Sequence, residues 1–409
     1  MQNGSSRASP SSSERVSEKR SKPLTRSGPI GPLGWPAELP KSTHRVRPRL
    51  PECLAIVFRR NKSVVGLDIG SSVVKAVELT LDGPEPVITG FARAEIPPGG
   101  DVREAVEQVF KDGGFKSKRV VTGVSGQSVV VRYVPMMRMA DEELMQAIRF
   151  ETDKYLPFDL DEVVLDCQAL NRTVGQASDS EAGPQDDQMM TVLLAACRRE
   201  TLEAQVQLVQ EQGLTPFAID LDLFAIANAW ELCGIPDEVM ADEGDGRATA
   251  LIDVGAERTS INVIRRGESC FSREINIGGS DMTQAVARRL GVEGFEAEAI
   301  KRAGEAHEAE VNSAITPVLE DLASELSLSI DYVEHHEGIA VEELLLSGGG
   351  VLAPGATAYI EQATGRPART WNPLEGLRID SGRVDVEELE AWAPSLVVAV
   401  GLASRVRTS

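Results

Sequence analysis

Aromatic residues make up only 4% of this 409-residue chain, so a core must be built from Val, Leu, Ile and Ala. Long apolar runs are missing too. The longest, such as Leu54–Phe58 and Leu396–Val400, fall far short of the roughly 20 residues a bilayer-spanning helix needs. The N-terminus carries no apolar segment of the signal-peptide kind. The five cysteines (Cys53, Cys167, Cys197, Cys233, Cys270) are odd in number and form no C-x-x-C pair, which reads as reduced thiols in a cytoplasmic protein. Positive charge is scarce outside one end. Residues 1–60 hold 12 Lys and Arg against 4 Asp and Glu, while the rest holds 30 against 59. A body that acidic repels phosphates and anionic lipid, so no nucleic-acid partner is expected and a membrane is reached only through a partner protein.

At 42% hydrophobic residues the chain is long and apolar enough for two ordinary domains. Residues 1–60, rich in Ser, Pro and Arg, read as a disordered basic extension. From Ser63 the pattern becomes regular. Strands are expected at 64–70, 73–80, 120–124, 128–134, 163–170, 191–196, 249–254, 260–265 and 342–346. Helices are expected at 101–110, 141–155, 200–212, 281–290, 296–303, 321–335 and 394–405. The acidic stretch at 177–188 reads as a mobile loop.

The chief architectural clue is an internal echo. VVGLDIGSSVVKAVEL (64–79) and ALIDVGAERTSINVI (250–264) share one plan: apolar strand, Asp, apolar residue, Gly, small polar turn, apolar strand. Two such hairpins imply two similar α/β lobes facing each other. A triphosphate with Mg²⁺ needs small residues whose backbone N–H groups converge on phosphate oxygens, and a carboxylate near the hydrated metal. Gly70, Ser71 and Ser72 supply the first turn, with Asp68 at the strand end and Lys75 to offset phosphate charge. Gly255 and Thr259 supply the second, with Asp253 matching Asp68. Asp68 and Asp253 are therefore the candidate metal-side groups.

Further pieces sit downstream. LLLSGGGVLAPGATAYI (344–360) places Ser347, Gly348, Gly349 and Gly350 after a strand, where missing side chains let an adenine and its sugar lie against backbone. In GFEAEAIKRAGE (294–305), Glu298 and Lys301 lie one helical turn apart and are candidates to face a ribose; a solvated ion pair is the plainer reading. Gly278 and Gly279 are candidate phosphate donors. Each piece alone is an ordinary turn; their order is the informative part.

That order resembles the phosphate and adenosine motifs of the actin/Hsp70/sugar-kinase superfamily. The segment VPMMRMADEELMQAIRFETDKYLPFDLDEVVLDCQAL (134–170) resembles the inserted subdomain of the PilM family of type IV pilus assembly proteins, and FEAEAIKRAG and AVGLASR are similar to that family as well. The resemblance implies an actin-like (ribonuclease H-like) two-lobed α/β ATPase fold with an inserted FtsA-like strand–helix–strand–strand (SHS2) module. Residues 61–116 with 198–245 would form the first lobe, closed by a helix at 393–409. The module would span 117–197. Residues 246–284 with 340–392 would form the second lobe, carrying a helical subdomain at 285–339. It also implies ATP and Mg²⁺ as cofactors and the cytoplasmic N-terminal peptide of PilN as partner. A homo-oligomeric ring beneath the inner-membrane platform, linked to the pilus motor, would follow. The peptide groove would lie between the first lobe and the module, with Val129–Val134 and Leu144–Phe150 as candidate walls.

Three functions compete: a nucleotide-dependent scaffold with at most weak ATPase activity, an FtsA-like division protein, and an actin-fold small-molecule kinase. FtsA ends in an amphipathic helix that GLASRVRTS does not provide, and a kinase needs a substrate-side Asp base in the first lobe. Glu257 and Asp281 are candidates for placing a hydrolytic water, with no spacing that singles out either.

Overall fold

Val64, Val65 and Leu67 are fully buried, which is why the first strand, β1 (Lys62–Ile69), is apolar on both faces. It pairs antiparallel with β2 (Val73–Leu81), setting Asp68 opposite Lys75. The turn between them demands a glycine, because a Cβ on Gly70 would stand 2.8 Å from the Val73 carbonyl oxygen. β3 (Pro86–Glu95) continues the antiparallel set, while β4 (Arg119–Val124) and β8 (Thr215–Leu221) extend the sheet in parallel on the other side. A short strand, β14 (Arg378–Ile379), closes its far edge and gives the order β14-β3-β2-β1-β4-β8. These elements come from a computed structural model that describes residues 62–81, 85–170, 189–233, 247–303 and 307–408. The basic extension of residues 1–60 and the loop at 177–188 lie outside the described residues.

The second sheet repeats the first. β9 (Arg247–Val254), β10 (Thr259–Arg265) and β11 (Glu268–Ile275) are antiparallel, and β12 (Ala340–Ser347) and β13 (Ala368–Thr370) add in parallel. The order β11-β10-β9-β12-β13 is the β3-β2-β1-β4-β8 plan again. Even the turn constraint recurs: a Cβ on Gly255 would stand 2.9 Å from the Arg258 carbonyl oxygen. The expected pair of similar lobes is therefore present.

Two helices fill the space between the sheets. α4 (Asp222–Leu232) and α10 (Val397–Ala403) pack with Val64 and Val77 of the first lobe and Leu251, Ile264 and Leu345 of the second. Their contact is backbone against backbone. A Cβ on Gly401 would lie 1.8 Å from the Ala225 carbonyl oxygen, and one on Gly66 would lie 2.0 Å from that of Ala399. Within Val386–Val406 an 18-residue stretch reaches mean hydropathy 1.3 and is long enough by composition to cross a membrane, but 67% of it is buried inside the protein.

The inserted module is an antiparallel sheet of order β5-β7-β6, from β5 (Val129–Met137), β6 (Val163–Ala169) and β7 (Met189–Arg198). Helix α2 (Asp141–Tyr155) covers it, so the chain order is strand, helix, strand, strand. Its core is its own, with Val134, Leu144, Ile148, Val192 and Leu194.

Several expectations need correction. The module starts at β5, not at residue 117, because β4 hydrogen-bonds between β1 and β8 in the first lobe. Residues 378–392 do not belong to the second lobe's core. β14 pairs with β3, and Leu389 packs beside Ile88 and Leu396. Helix α7 spans Glu308–Glu337, far longer than 321–335, since Val311, Ala314, Ile315, Leu319 and Leu322 keep one buried face across Pro317. Burial on that scale outweighs the hydrogen bond a helical proline forfeits. Helices α5 (Gly279–Leu290) and α6 (Gly294–Ala303) join α7 on the second sheet, sharing its core. β3, β8, β11 and α4 are absent from the sequence reading. β8 and β11 are only half apolar, and α4 is buried nearly all round, which erases the amphipathic signal.

Candidate functional site

The two matched hairpins bring their aspartates to one place at the junction of the lobes. Asp68 Oδ2 lies 2.6 Å from Lys75 Nζ, with both side chains largely buried. Lys75 also donates to the Ser395 carbonyl at 3.0 Å. Burial works against the Lys75 charge, but Asp68, aided by Asp253 and Asp222, holds the ammonium above its ordinary pKa. Asp253 Oδ1 accepts from Ser347 Oγ at 2.8 Å. Burial pushes Asp253 up to about 6 with Asp68 adding to the rise, although Lys75 and Ser347 oppose it. Residues from opposite lobes thus titrate against one another across the junction.

The carboxylate that sequence reasoning missed is Asp222. It opens α4, and Gly123 at the end of β4 makes room for it: a Cβ there would stand 1.8 Å from Asp222 Oδ1. Burial raises Asp222 to about 7, with Asp68, Glu274 and Asp253 adding and the Ser125 hydroxyl opposing. The candidates named for placing a water fare less well. Asp281 is a helix cap, its Oδ2 accepting from the Gly278 N–H at 2.9 Å, and Glu257 is exposed in the second turn. The run AIDLDLF held a usable signal, an apolar strand ending in Asp with a second Asp opening a helix.

The second hairpin's turn is braced from behind by Gly278 and Gly279. A Cβ on Gly278 would meet the Ala256 carbonyl oxygen at 2.4 Å. Gly279 N donates to Gly255 O at 2.8 Å, and Ser280 N to Ala256 O at 2.7 Å. With the Gly278 N–H taken by Asp281, the glycines shape the turn and have no N–H left for phosphates. Thr259 is likewise framework, since its hydroxyl donates to the Ile277 carbonyl at 2.7 Å.

Lys301 points inward. Its ammonium donates to Gly279 O at 3.0 Å and Thr283 Oγ1 at 2.7 Å and pairs with Glu298 at 2.7 Å. Burial lowers its pKa, only partly countered by Glu298. It is a buried strut under the Gly279 turn, so the expected ribose-facing lysine is corrected. Glu298, held below its ordinary pKa by Lys301, Thr283 and Arg302 against the pull of burial, keeps about a third of its side chain exposed, 32%. Gly350 Cα lies 3.4 Å from where a Gly279 Cβ would sit, so the Ser347–Gly350 turn meets the same platform. Gly348, at φ 92°, donates its N–H to Pro394 O at 2.8 Å. Gly349 follows it into a short 3-10 turn, and Ser71 and Ser72 stay at the surface of the first turn, Ser71 exposed.

The chemistry of this donor set fits a magnesium nucleotide. Among the described residues no group of three or more His, Cys, Asp or Glu could hold a bare metal ion. A metal that arrives on phosphates and is reached by carboxylates through water needs no such group. The three carboxylates share one buried lysine, leaving an excess of negative charge that a divalent ion offsets.

A cavity of about 280 Å³ is lined by Gly126, Val129, Val131, Leu223, Ser272 and Glu274 among others. The edge strands β5 and β11 flank it. Tyr133 Oη spans them, 2.6 Å from Ser269 Oγ and 3.0 Å from Ser272 Oγ. Glu274 Oε2 accepts from Gly126 N at 2.7 Å, while Oε1 is buried without a hydrogen-bond partner. Of the candidate groove walls, Val134, Leu144 and Ile148 are spent in the module's core, Val129 and Val131 line the cavity, and Val130 belongs to the core while also lining the cavity.

Comparison with known proteins gives a consistent picture. A family model described as type IV pilus assembly protein PilM matches residues 66–407. A solved PilM-PilN type IV pilus biogenesis complex matches with TM-score 0.70 and 28% identity, covering 84% of this chain and 98% of that one. Ethanolamine utilization protein EutJ of Escherichia coli (strain K12) is 30% identical over 166 residues, 38% of this chain and 55% of EutJ. EutJ of Salmonella typhimurium is 27% identical over 180 residues, 42% of this chain and 61% of its own length. The chain thus spans little more than half the length of the curated relatives it matches.

Proposed function

The chain belongs to the family of the type IV pilus assembly protein PilM, with its actin-like ATPase fold, and from that premise we propose that it is a cytoplasmic, nucleotide-responsive scaffold of the pilus assembly machinery. ATP with Mg²⁺ binds where the two hairpins meet. Asp68 and Asp253 face the hydrated metal, Gly70–Ser72 and the Gly255 turn cradle the phosphates, and Ser347–Gly350 with Glu298 borders the nucleoside. The metal supplies charge neutralisation for the phosphates when bound. Lys75 holds Asp68 in position, and Lys301 holds the Gly279 turn that backs the second cradle. The observation that carries this reading is the repeated hairpin, which ends in Asp68 paired with Lys75 at 2.6 Å in one lobe and in Asp253 bonded to Ser347 at 2.8 Å in the other.

In this reading the N-terminal cytoplasmic peptide of a PilN-type inner-membrane protein docks beside the module, at the cavity flanked by β5. A ring of copies under the platform would then connect it to the motor, with the membrane reached only through that partner. Turnover is slow at most. A synthetic PilN N-terminal peptide on beads is expected to retain the protein, and ATP-Mg to change the amount retained. Failure to retain it under either condition contradicts the peptide assignment.

A second reading, a small-molecule kinase, draws on Asp222. A half-buried first-lobe carboxylate raised to about 7 has the character of a general base. Transfer of phosphate from ATP to a small acceptor, without peptide binding, would favour it over the scaffold.

A further inference from the structure

Arg302 follows Lys301, the strut of the second cradle, and reaches out of its own lobe. Its Nη1 lies 3.3 Å from Glu95 Oε1 in the first lobe, while its Nε donates to Glu298 Oε1 at 2.8 Å. Glu95 is the last residue of β3 and sits opposite Val73, and the next residue donates Ile96 N to Ser72 O at 2.8 Å. One ion pair therefore joins the flank of the first turn to the flank of the second.

Trp392 backs this pair. The Arg93 guanidinium lies 3.9 Å from its ring centroid and that of Arg302 5.6 Å, so the indole is shared by cations of both lobes. Trp392 leads directly into Ala393–Leu396, the short turn whose Ser395 carbonyl accepts from Lys75 and whose Pro394 carbonyl accepts from Gly348 N. That turn is anchored to Lys75 of the first hairpin and to the Ser347–Gly350 turn of the second lobe, and it precedes α10, the helix lodged between the lobes. The lobes are thus bridged at two places, by the 393–396 turn and by the Arg302–Glu95 pair. Neither fold stability nor the module needs the clasp, since both partners are substantially exposed, Glu95 at 62% and Arg302 at 43%.

We propose that the Arg302–Glu95 pair, seated on Trp392, is an exchange gate that must part before a nucleoside di- or triphosphate enters or leaves. This rests on the nucleotide reading given above. Opening breaks the ion pair and frees Arg302 from the indole while the 393–396 turn, acting as the hinge, keeps the lobes joined. Glu298 links the gate to the nucleoside side, because the same carboxylate accepts from Arg302 and Lys301. Gate strength therefore falls as salt rises, as for any partly exposed pair.

The test is a double-mutant cycle on full-length protein, using Glu95→Gln, Arg302→Gln and the double variant. Release of a fluorescent N-methylanthraniloyl ADP with Mg²⁺ is followed after chasing with unlabelled nucleotide. Each single change should speed release about two- to fivefold, and the double variant no more than the faster single. Arg302→Lys should retain most of the slow release, and raising salt should accelerate the parent but not Arg302→Gln. Unchanged release in both singles, or fully multiplicative effects in the double, overturns the gate while leaving the nucleotide site intact. A parent that binds no labelled nucleotide overturns the nucleotide reading and the gate with it.

Discussion

Replacing Asp68 or Asp253 with Ala abolishes the thermal stabilisation that ATP-Mg confers on the parent, and the two variants differ before any nucleotide is added. A ligand present at about 100 times its dissociation constant stabilises by about 2.7 kcal/mol, a rise in melting temperature that is easily read. Losing either carboxylate removes one side of the metal's surroundings, so that rise disappears in both. Without ligand they diverge. Asp68→Ala removes the nearest partner of the Lys75 ammonium, 2.6 Å away, and leaves it the Ser395 carbonyl and the weaker pull of Asp253 and Asp222, so the cost stays below the roughly 3 kcal/mol of a fully orphaned buried charge. Asp253 is half-buried with its pKa raised to about 6, so its charge opposes folding at neutral pH, and Asp253→Ala leaves the unliganded protein no less stable apart from the lost Ser347 bond and the lost attraction to Lys75. Calorimetry of the four protein–ligand combinations checks both statements.

Asp222→Asn should stabilise the unliganded protein, and the gain should depend on pH. Asp222 is raised from 3.8 to about 7 in the folded chain. A carboxyl whose folded pKa lies above its unfolded value binds its proton more tightly when folded. Its contribution is most favourable below about 4 and is lost as pH rises towards 7. Asn, which never ionises, escapes that loss. The variant's advantage is therefore absent near pH 3.5, grows between 4 and 7, and is constant above 7. The full shift bounds it at about 4 kcal/mol; sharing of charge with Asp68 and Asp253 makes a gain on the order of 2 kcal/mol the expected result. The same substitution removes one of the negative charges that favour the metal, so stabilisation by ATP-Mg shrinks. Melting curves at pH 4 and pH 8, with and without nucleotide, measure both effects. A gain that is equal at the two pH values would show that charge burial is not its cause.

Much of this was written in local sequence, for a physical reason. The turns after Asp68 and Asp253 admit no Cβ at Gly70 and Gly255, so the pattern Asp, apolar residue, Gly survives in both copies and exposes the repeat. The strand-to-glycine turn at Ser347–Gly350 is legible for the same reason. What escaped depends on partners distant in the chain. Whether a Gly N–H or a Lys ammonium faces a ligand or a neighbouring turn is decided by tertiary packing, and Gly279 and Lys301 both turned to neighbours. Asp222 was hidden because an acidic residue opening a helix is ordinary; its charged neighbourhood comes from Asp68 of the first hairpin and from Glu274 and Asp253 of the facing lobe, all distant in sequence. The domain limits slipped where a strand joins a sheet far along the chain, as β4 and β14 do.

The claim at the centre is that two aspartates, 185 positions apart by their numbers, face one magnesium nucleotide. Crystals grown with Mn²⁺ and a non-hydrolysable ATP analogue would locate the ion by its anomalous scattering. The expected peak lies between the Asp68 and Asp253 carboxylates, bound to phosphate and reached by both through water. A peak elsewhere, or a nucleotide seated away from both hairpins, would contradict it.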